Sequence, residues 1–376
     1  MISRILRKIK FILNKISEAE VEDEFRLQQK LMKFLGIYQS PIKKPDYCSF
    51  IIKIAFLLVG FYGFGQFIRE NFRNIIKVSP CLGPVLSLTM ATIKFITFFF
   101  SSEKFYWIRN KIQMLNERCK DNDLDVKVIK NVRKMHSRLL IPIYCVIINV
   151  LLSAIVRPII QNLISLCFYG QVSLTLPLKM SYNNTSVPAL YILVYVFQVV
   201  LILTVLLFNV LVDLTFFTCC LYICGHFEIL RKTVNTRELK KFVDSHREII
   251  EVATKLSKLY WPVVLIQFSM MALIFCIAAI QIIIIPEVSQ KITAGTHLIG
   301  GTVALFTYSY GSQKVMDSAL SVGDDIYQID KNYLFILMRT QRLLKIKAGF
   351  IHACLPTFLM LLSWTVSLVT LIESFV

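Results

Sequence analysis

Few side chains in this sequence are in a position to do chemistry. Three charges, Lys94, Arg157 and Asp213, stand inside stretches that are otherwise uncharged and apolar. An ionised group in such surroundings is expensive unless it is paired, hydrated or able to reach an interface, so each is a candidate for function. Each also has a plain structural reading. Lys94 can snorkel along its helix to the inner surface, Arg157 stands beside Pro158 near the outer interface, and Asp213 falls near the inner surface. Tyr191, Tyr195 and Gln198 are spaced i, i+4 and i+7, which puts them on one helix face. Such a stripe can orient a small guest or simply pack. The five histidines, His136, His226, His246, His297 and His352, show no HExxH spacing and no zinc pattern with cysteines, and no P-loop or dinucleotide fingerprint is present. Neither an enzyme nor a cofactor or metal site is expected. Of the ten cysteines only Cys81 and Cys167 fall near the outer face, where a bridge could form.

The elements that must hold these residues follow from composition. In 376 residues, 56% are apolar and the mean hydropathy is +0.62, well above the roughly 45–50% apolar content of soluble domains. That excludes disorder, a secreted disulfide scaffold and an ordinary cytosolic enzyme. Seven apolar stretches are long enough to span a bilayer: 55–68 extended back to 50, 81–100, 139–158 with a further run to 168, 181–212 continuing past Asp213 to 227, 259–285, 292–310 and 348–372. At about 1.5 Å per residue the fourth outreaches a hydrocarbon core of about 30 Å, so its inner end should project from the membrane. The predicted class is an all-α membrane protein with seven transmembrane helices.

Charge gives the orientation. The net charge is +18, and segments 1–49, 101–138, 226–258 and 311–347 together hold 34 Lys and Arg residues, against five in 68–80, 167–190 and 285–297. Basic residues collect in cytoplasmic loops, so the N-terminus is expected inside and the C-terminus outside. The excess charge is then a topology signal and calls for no nucleic acid. Overlapping glycosylation sequons at Asn183 and Asn184 fall on a loop already placed outside. The first 49 residues lack a signal-peptide pattern, so the first span is expected to target the chain. Within them, Ile2, Ile5, Leu6, Ile9, Ile12, Leu13 and Ile16 recur at helical spacing among basic residues. They read either as a helix lying on membrane lipid or as one packed on the protein itself. An inverted seven-helix order, without Asp-Arg-Tyr after span three or Asn-Pro-x-x-Tyr in span seven, disfavours a G-protein-coupled receptor.

From the fourth span onward, Pro188, Tyr191, Tyr195, Gln198 and Asp213, then Cys224-Gly225-His226-Phe227-Glu228-Ile229-Leu230, form a pattern that resembles the insect odorant receptor family. Tyr308-Ser309-Tyr310-Gly311-Ser312-Gln313 and Ala348-Gly349 with Pro356-Thr357-Phe358 continue it. Lys94-Phe95 and Ser102-Glu103-Lys104-Phe105-Tyr106 extend it backward, in consistent order. The related gustatory receptors usually close on a Thr-Tyr pair with a Gln-Phe beyond, whereas here Val369-Thr370-Leu371-Ile372-Glu373-Ser374-Phe375 has neither the Tyr nor the Gln. The loop between spans four and five is short, as in an odorant-tuning subunit and unlike the longer co-receptor.

The resemblance implies one subunit of a ligand-gated, non-selective cation channel, assembled with the odorant co-receptor (Orco) in a heterotetramer in the dendritic plasma membrane of sensory neurons. It implies one seven-helix domain: a cytosolic segment 1–49, helices and pocket over 50–310, an anchor region 311–347 and a pore helix 348–376. Span seven would line the pore. Ser367, Leu371, Ser374 and Phe375 share a face, Leu371 with Phe375 would close the pore by excluding water, and Glu373 would gather cations at its mouth. A helix from Asp325 to Ile346 would join the inner extensions of spans four, five and six as an intersubunit anchor. The ligand, a small volatile molecule, would bind in the outer half of the bundle among spans two, three, four and six. Candidates are Ser87 and Met90; Ser153, Val156 and Ile160; Tyr191, Val194, Tyr195 and Gln198; and Thr302 with Phe306. An apolar cavity with few polar groups suits such a guest, and Met90 is an adaptable wall.

Overall fold

The computed structural model describes residues 25–34, 46–169, 175–181, 188–233, 239–329, 346–348 and 351–374. They form α1 (Arg26–Phe34), α2 (Tyr47–Asn71), α3 (Ile75–Phe100), α4 (Ser102–Arg118), a 3-10 turn (Cys119–Asp121), α5 (Asp123–Tyr169), α6 (Pro188–Lys232), α7 (Leu239–Ile284), α8 (Val288–Ile329), β1 (Lys347–Ala348), β2 (Ile351–His352) and α9 (Leu355–Glu373). Each of the seven apolar stretches overlaps one of the helices α2, α3 and α5 to α9. Among the described residues four segments, Tyr47–Asn71, Ile76–Phe100, Leu190–Lys232 and Lys240–Ile284, are long and apolar enough to cross a membrane. Shorter apolar runs lie at Pro158–Cys167 and Leu355–Leu371. α8 is less apolar because Gln290, Thr293, Thr296 and His297 face an internal cavity.

Local sequence explains the ends of these helices. Asp46 accepts a bond from the Ser49 amide at 3.1 Å to cap α2, and Asn74 does the same for Lys77 at α3. At Ser101 the backbone leaves helical geometry and the chain turns into α4, whose Phe105, Ile108, Ile112 and Leu115 form its buried stripe. α6, of 45 residues, is about 68 Å long at 1.5 Å per residue, more than twice a hydrocarbon core. It is the hub of the fold, packing on α1, α2, α3, α4, α5, α7 and α8. From Leu211 to Phe227 every residue is buried, as expected for a helix apolar all round. Polar groups there bond locally or across helices: Thr218 Oγ1 donates to Leu214 O at 2.8 Å, and His136 Nε2 lies 2.8 Å from the same hydroxyl.

Two expected boundaries shift. The last helix begins at Leu355 rather than at residue 348, because 347–348 and 351–352 pair antiparallel, Lys347 opposite His352. Pro356 explains the change: it has no amide donor and its ring would meet the carbonyl four residues back, so it belongs in a first turn. Likewise, no helix starts at Asp325. α8 runs unbroken through it to Ile329, and residues 330–345 of the expected anchor helix lie outside the described residues. So do Met1 to Ile16, Asn183, Asn184 and Phe375. Cys81 and Cys167 are both free.

Candidate functional site

A cavity of about 280 Å³ lies between α3, α6, α7 and α8. Phe64 of α2 and Pro177, Leu178 and Lys179, from the stretch between α5 and α6, complete its wall. Two prolines inside α3, Pro80 and Pro84, stand on the cavity side, where a missing amide loosens the helix ladder. Nearby, Gln281 Nε2 donates to Ser79 O at 2.6 Å and ties α7 to this part of α3. On the opposite side Gly301 lets α8 approach α7 closely, since a Cβ there would stand 2.7 Å from the Phe275 ring.

One end of the cavity is closed by charge. Lys94 Nζ meets Asp213 Oδ1 at 2.5 Å, with side-chain exposures of 0% and 12%. Tyr308 donates its hydroxyl to the same oxygen at 2.6 Å, and its ring stacks on Phe216 at 4.8 Å. Three helices, α3, α6 and α8, are thus joined by one buried cluster. Lys94 is fully buried and does not snorkel to a surface, and Asp213 is enclosed among the helices beside it. The reason is that an opposite charge and a phenol satisfy the pair inside the bundle, where removing one partner alone costs about 3–5 kcal/mol. In the sequence the only signal of this pair is the coincidence of opposite charges in spans two and four.

Of the residues expected at the ligand, Ser87 and Met90 line the cavity. The tyrosine stripe stands elsewhere. Tyr191 accepts from Asn162 Nδ2 at 3.0 Å and donates to Thr175 O at 2.8 Å. Tyr195 donates to Ile155 O at 2.9 Å. Both therefore fasten α6 to α5 and its following stretch. Gln198 is buried, and its Oε1 accepts from the Leu178 amide at 2.9 Å, which holds in place the segment that walls the cavity. Val194 is buried next to this stripe, outside the lining, while Val156 and Ile160 are exposed on α5. Ser153 is helical in α5, and its side chain is outside the description. On α8 the cavity is faced by Gly300, Val303, Ala304 and Thr307. Thr302 bonds its own helix at Leu298 O, and Phe306 stacks on Tyr310 at 5.3 Å and meets Phe358 of α9 edge-on. Asn209, Gln267 and Met271 also line the cavity, and the sequence signals them only by polar or adaptable character inside apolar spans.

On α9, Ser367, Leu371 and Ser374 are exposed in the single chain, with both serine hydroxyls returned to their own helix. Glu373 is the last residue of α9, and its side chain is not described. Among the described residues no group of three or more His, Cys, Asp or Glu side chains could hold a metal ion. The cavity combines apolar walls, such as Leu88, Leu201 and Ile274, with a few amides and hydroxyls and one neutralised ion pair. That composition suits reversible binding of a small, largely apolar molecule.

The pattern of the 7tm odorant receptor family matches residues 74–366, most of the chain. The chain belongs to the odorant receptor family. Odorant receptor 82a of Drosophila melanogaster is 22% identical over 387 aligned positions, covering 93% of this chain and 98% of that protein. Odorant receptor 22c of the same species is 28% identical over 192 positions, covering 43% and 48%. The fold of this odorant receptor is similar to that of the insect olfactory receptor OR5 from Machilis hrabei solved with eugenol, with a TM-score of 0.78 at 12% identity, covering 95% of this chain and 99% of that one. The helices around the cavity are thus arranged as in a solved insect olfactory receptor.

Proposed function

We propose that this odorant receptor is the ligand-binding subunit of an odorant-gated, non-selective cation channel, assembled with the Orco co-receptor in a heterotetramer. The observation that carries this reading is a mostly apolar cavity, large enough for a small volatile molecule, within a chain of this family. Its seven long helices cross the plasma membrane of a sensory neuron with the N-terminus inside, and Asn183 and Asn184 face outward as glycan acceptors. The exposed face of α9 is then covered by neighbouring subunits and pore water. Leu371 and Phe375 form the constriction, Ser367 and Ser374 wet it, and Glu373 lies at the mouth.

A ligand opens such a channel only by favouring the open state over the closed one. The cluster at the cavity's end offers a route, since it ties together three of the four helices that wall the site. The test is recording from cells that express this chain with and without the co-receptor. Odorant-gated cation current within milliseconds, present only on co-expression and altered in Met90→Ala, supports the reading. A response that needs G proteins overturns it.

A further inference from the structure

Several basic residues on the helices around α5 are spent on ion pairs. Lys111 and Arg118 of α4 meet Glu248 of α7 at 3.4 and 2.9 Å, and Arg231 of α6 meets Asp325 of α8 at 2.6 Å. Lys232 and Lys255 bond carboxylates one turn back on their own helices. The start of α5 differs. Lys127, Lys130, Lys134 and Arg138 are all exposed, and among the described residues none of them takes part in an ion pair. At about 100° per residue, their i, i+3, i+7 and i+11 spacing sets them within an arc of about 80°. Val128, Ile129 and His136 are buried on the opposite face, where Val132 packs so closely on α6 that a Cβ at Gly225 would stand 2.7 Å from it. Packing of the helix therefore fixes which way the stripe faces. Of residues 123–138 only Asp123 and Asp125 are acidic. Asp125 is buried with the inward face, and Asp123 stands at the far end, in the first turn of α5.

The same helix runs on into the third apolar stretch, which begins at Leu139, directly after Arg138. On the proposed orientation Arg138 borders the inner surface of the membrane. At about 1.5 Å per residue, Lys134, Lys130 and Lys127 follow about 6, 12 and 16 Å further into the cytosol. Resting on that orientation, we infer that the α5 stripe binds acidic phospholipid headgroups, of the phosphatidylserine class, at the cytoplasmic surface, with Arg138 and Lys134 making the main contacts. An unpaired cation gains from a plane of fixed negative charge when it lies within one screening length, about 8 Å at physiological ionic strength, and gains little beyond it. A guanidinium takes a phosphate through two parallel hydrogen bonds, which suits Arg138 at the surface. The stripe starts where the apolar stretch ends, so the anions nearest its upper turns are headgroups, and this continuity favours lipid over an acidic protein. The paired cations of the neighbouring helices already have their counter-charges and compete weakly.

The test is native mass spectrometry of the purified full-length chain released from nanodiscs holding phosphatidylserine and phosphatidylcholine in equal amounts, which counts retained lipids by headgroup. The expected result is a retained ratio in favour of phosphatidylserine that Arg138→Gln and Lys134→Gln each reduce about fivefold, the share of one basic residue close to an anionic surface. Lys127→Gln and Lys120→Gln remove the same charge further from the membrane and should change the ratio less than about twofold. Arg138→Lys should keep most of it, and the melting temperature should stay the same throughout, since all these side chains are exposed. Equal retention of the two lipids by the unaltered chain overturns the inference. Equal losses in all four glutamine variants overturn it as well, by reducing the preference to net charge. An unchanged lipid preference with lost co-receptor assembly in the Lys134→Gln Arg138→Gln double variant assigns the stripe to a protein partner instead. Staining of an N-terminal tag on intact cells puts the stripe on the outer side and likewise overturns it. Headgroup selection without odorant-gated current in co-expressing cells leaves the inference standing and removes the channel reading.

Discussion

Along α6, Ile192, Leu193, Val196 and Val200 are exposed, whereas every residue from Leu211 to Phe227 is buried. Both halves are apolar and both are helical; what differs is their neighbours. The second half is enclosed among other helices, and its aromatic rings interlock, Phe216 lying 4.8 Å from both Tyr260 and Tyr308. The first half has helices on one side only and the cavity alongside, so its outward face meets whatever surrounds the bundle. Asp213 stands close to the boundary between the two. Its pairing with Lys94 and Tyr308 closes the packed half while forming the end of the cavity in the open half. A helix can therefore anchor a fold at one end and remain adaptable at the other without changing its apolar character.

Breaking the boundary should have the largest effect. Lys94→Met strands the Asp213 carboxylate and should cost about 3–5 kcal/mol, seen as a lowered melting temperature in detergent. Adding Asp213→Leu should recover most of that loss; if the double variant is no more stable than the single one, the pair is not the coupling element. Within the packed half, Phe216→Ala should cost about 3–5 kcal/mol through an unfilled cavity. The matching change in the open half, Ile192→Ala, should stay within about 0.5 kcal/mol. Equal losses at the two positions would erase the contrast.

A pH scan tests the packed half from another side. His136, buried against α6, has its pKa pushed down by burial to about 4. The unfolded chain, with an ordinary histidine value of about 6.5, binds the proton first between those limits. Stability should be full above about pH 6.5 and fall by about 3 kcal/mol as pH drops toward 4. In denaturant titrations His136→Gln should remove that component of the slope. A smaller effect than the pH component belongs to the open half: Gln198→Leu should cost about 1–2 kcal/mol by releasing the Leu178 amide. It should also increase hydrogen exchange across residues 175–181, and unchanged protection there would separate Gln198 from the cavity wall.

Much of the fold was legible because it depends on short-range properties. A long apolar run is a helix in a low-dielectric setting whatever lies beside it, and the overrun of the fourth stretch announced a helix of α6's length. Pro356 marks the true start of α9, whereas the apolar stretch reaches back to residue 348. The candidate site was less legible because it depends on helix rotation. Thr302 and Phe306 stood as candidates where Gly300, Val303, Ala304 and Thr307 face the cavity, a difference of one position that turns a helix face by about 100°. The spacing of Tyr191, Tyr195 and Gln198 correctly put them on one face, yet spacing carries no information about which neighbour that face meets.

What the sequence determined by itself was the material: seven apolar stretches, a charge asymmetry of 34 basic residues against five between alternate loops, and the family resemblance. Only the tertiary structure decided which polar atoms are spent and which are left over. Lys94 and Asp213 are 119 positions apart and find each other only when α3 crosses α6. The four cations of the α5 stripe are set apart from the paired ones only once the carboxylates of the neighbouring helices have been placed. Hydrophobicity is summed along the chain, whereas the satisfaction of a buried polar group is settled across it.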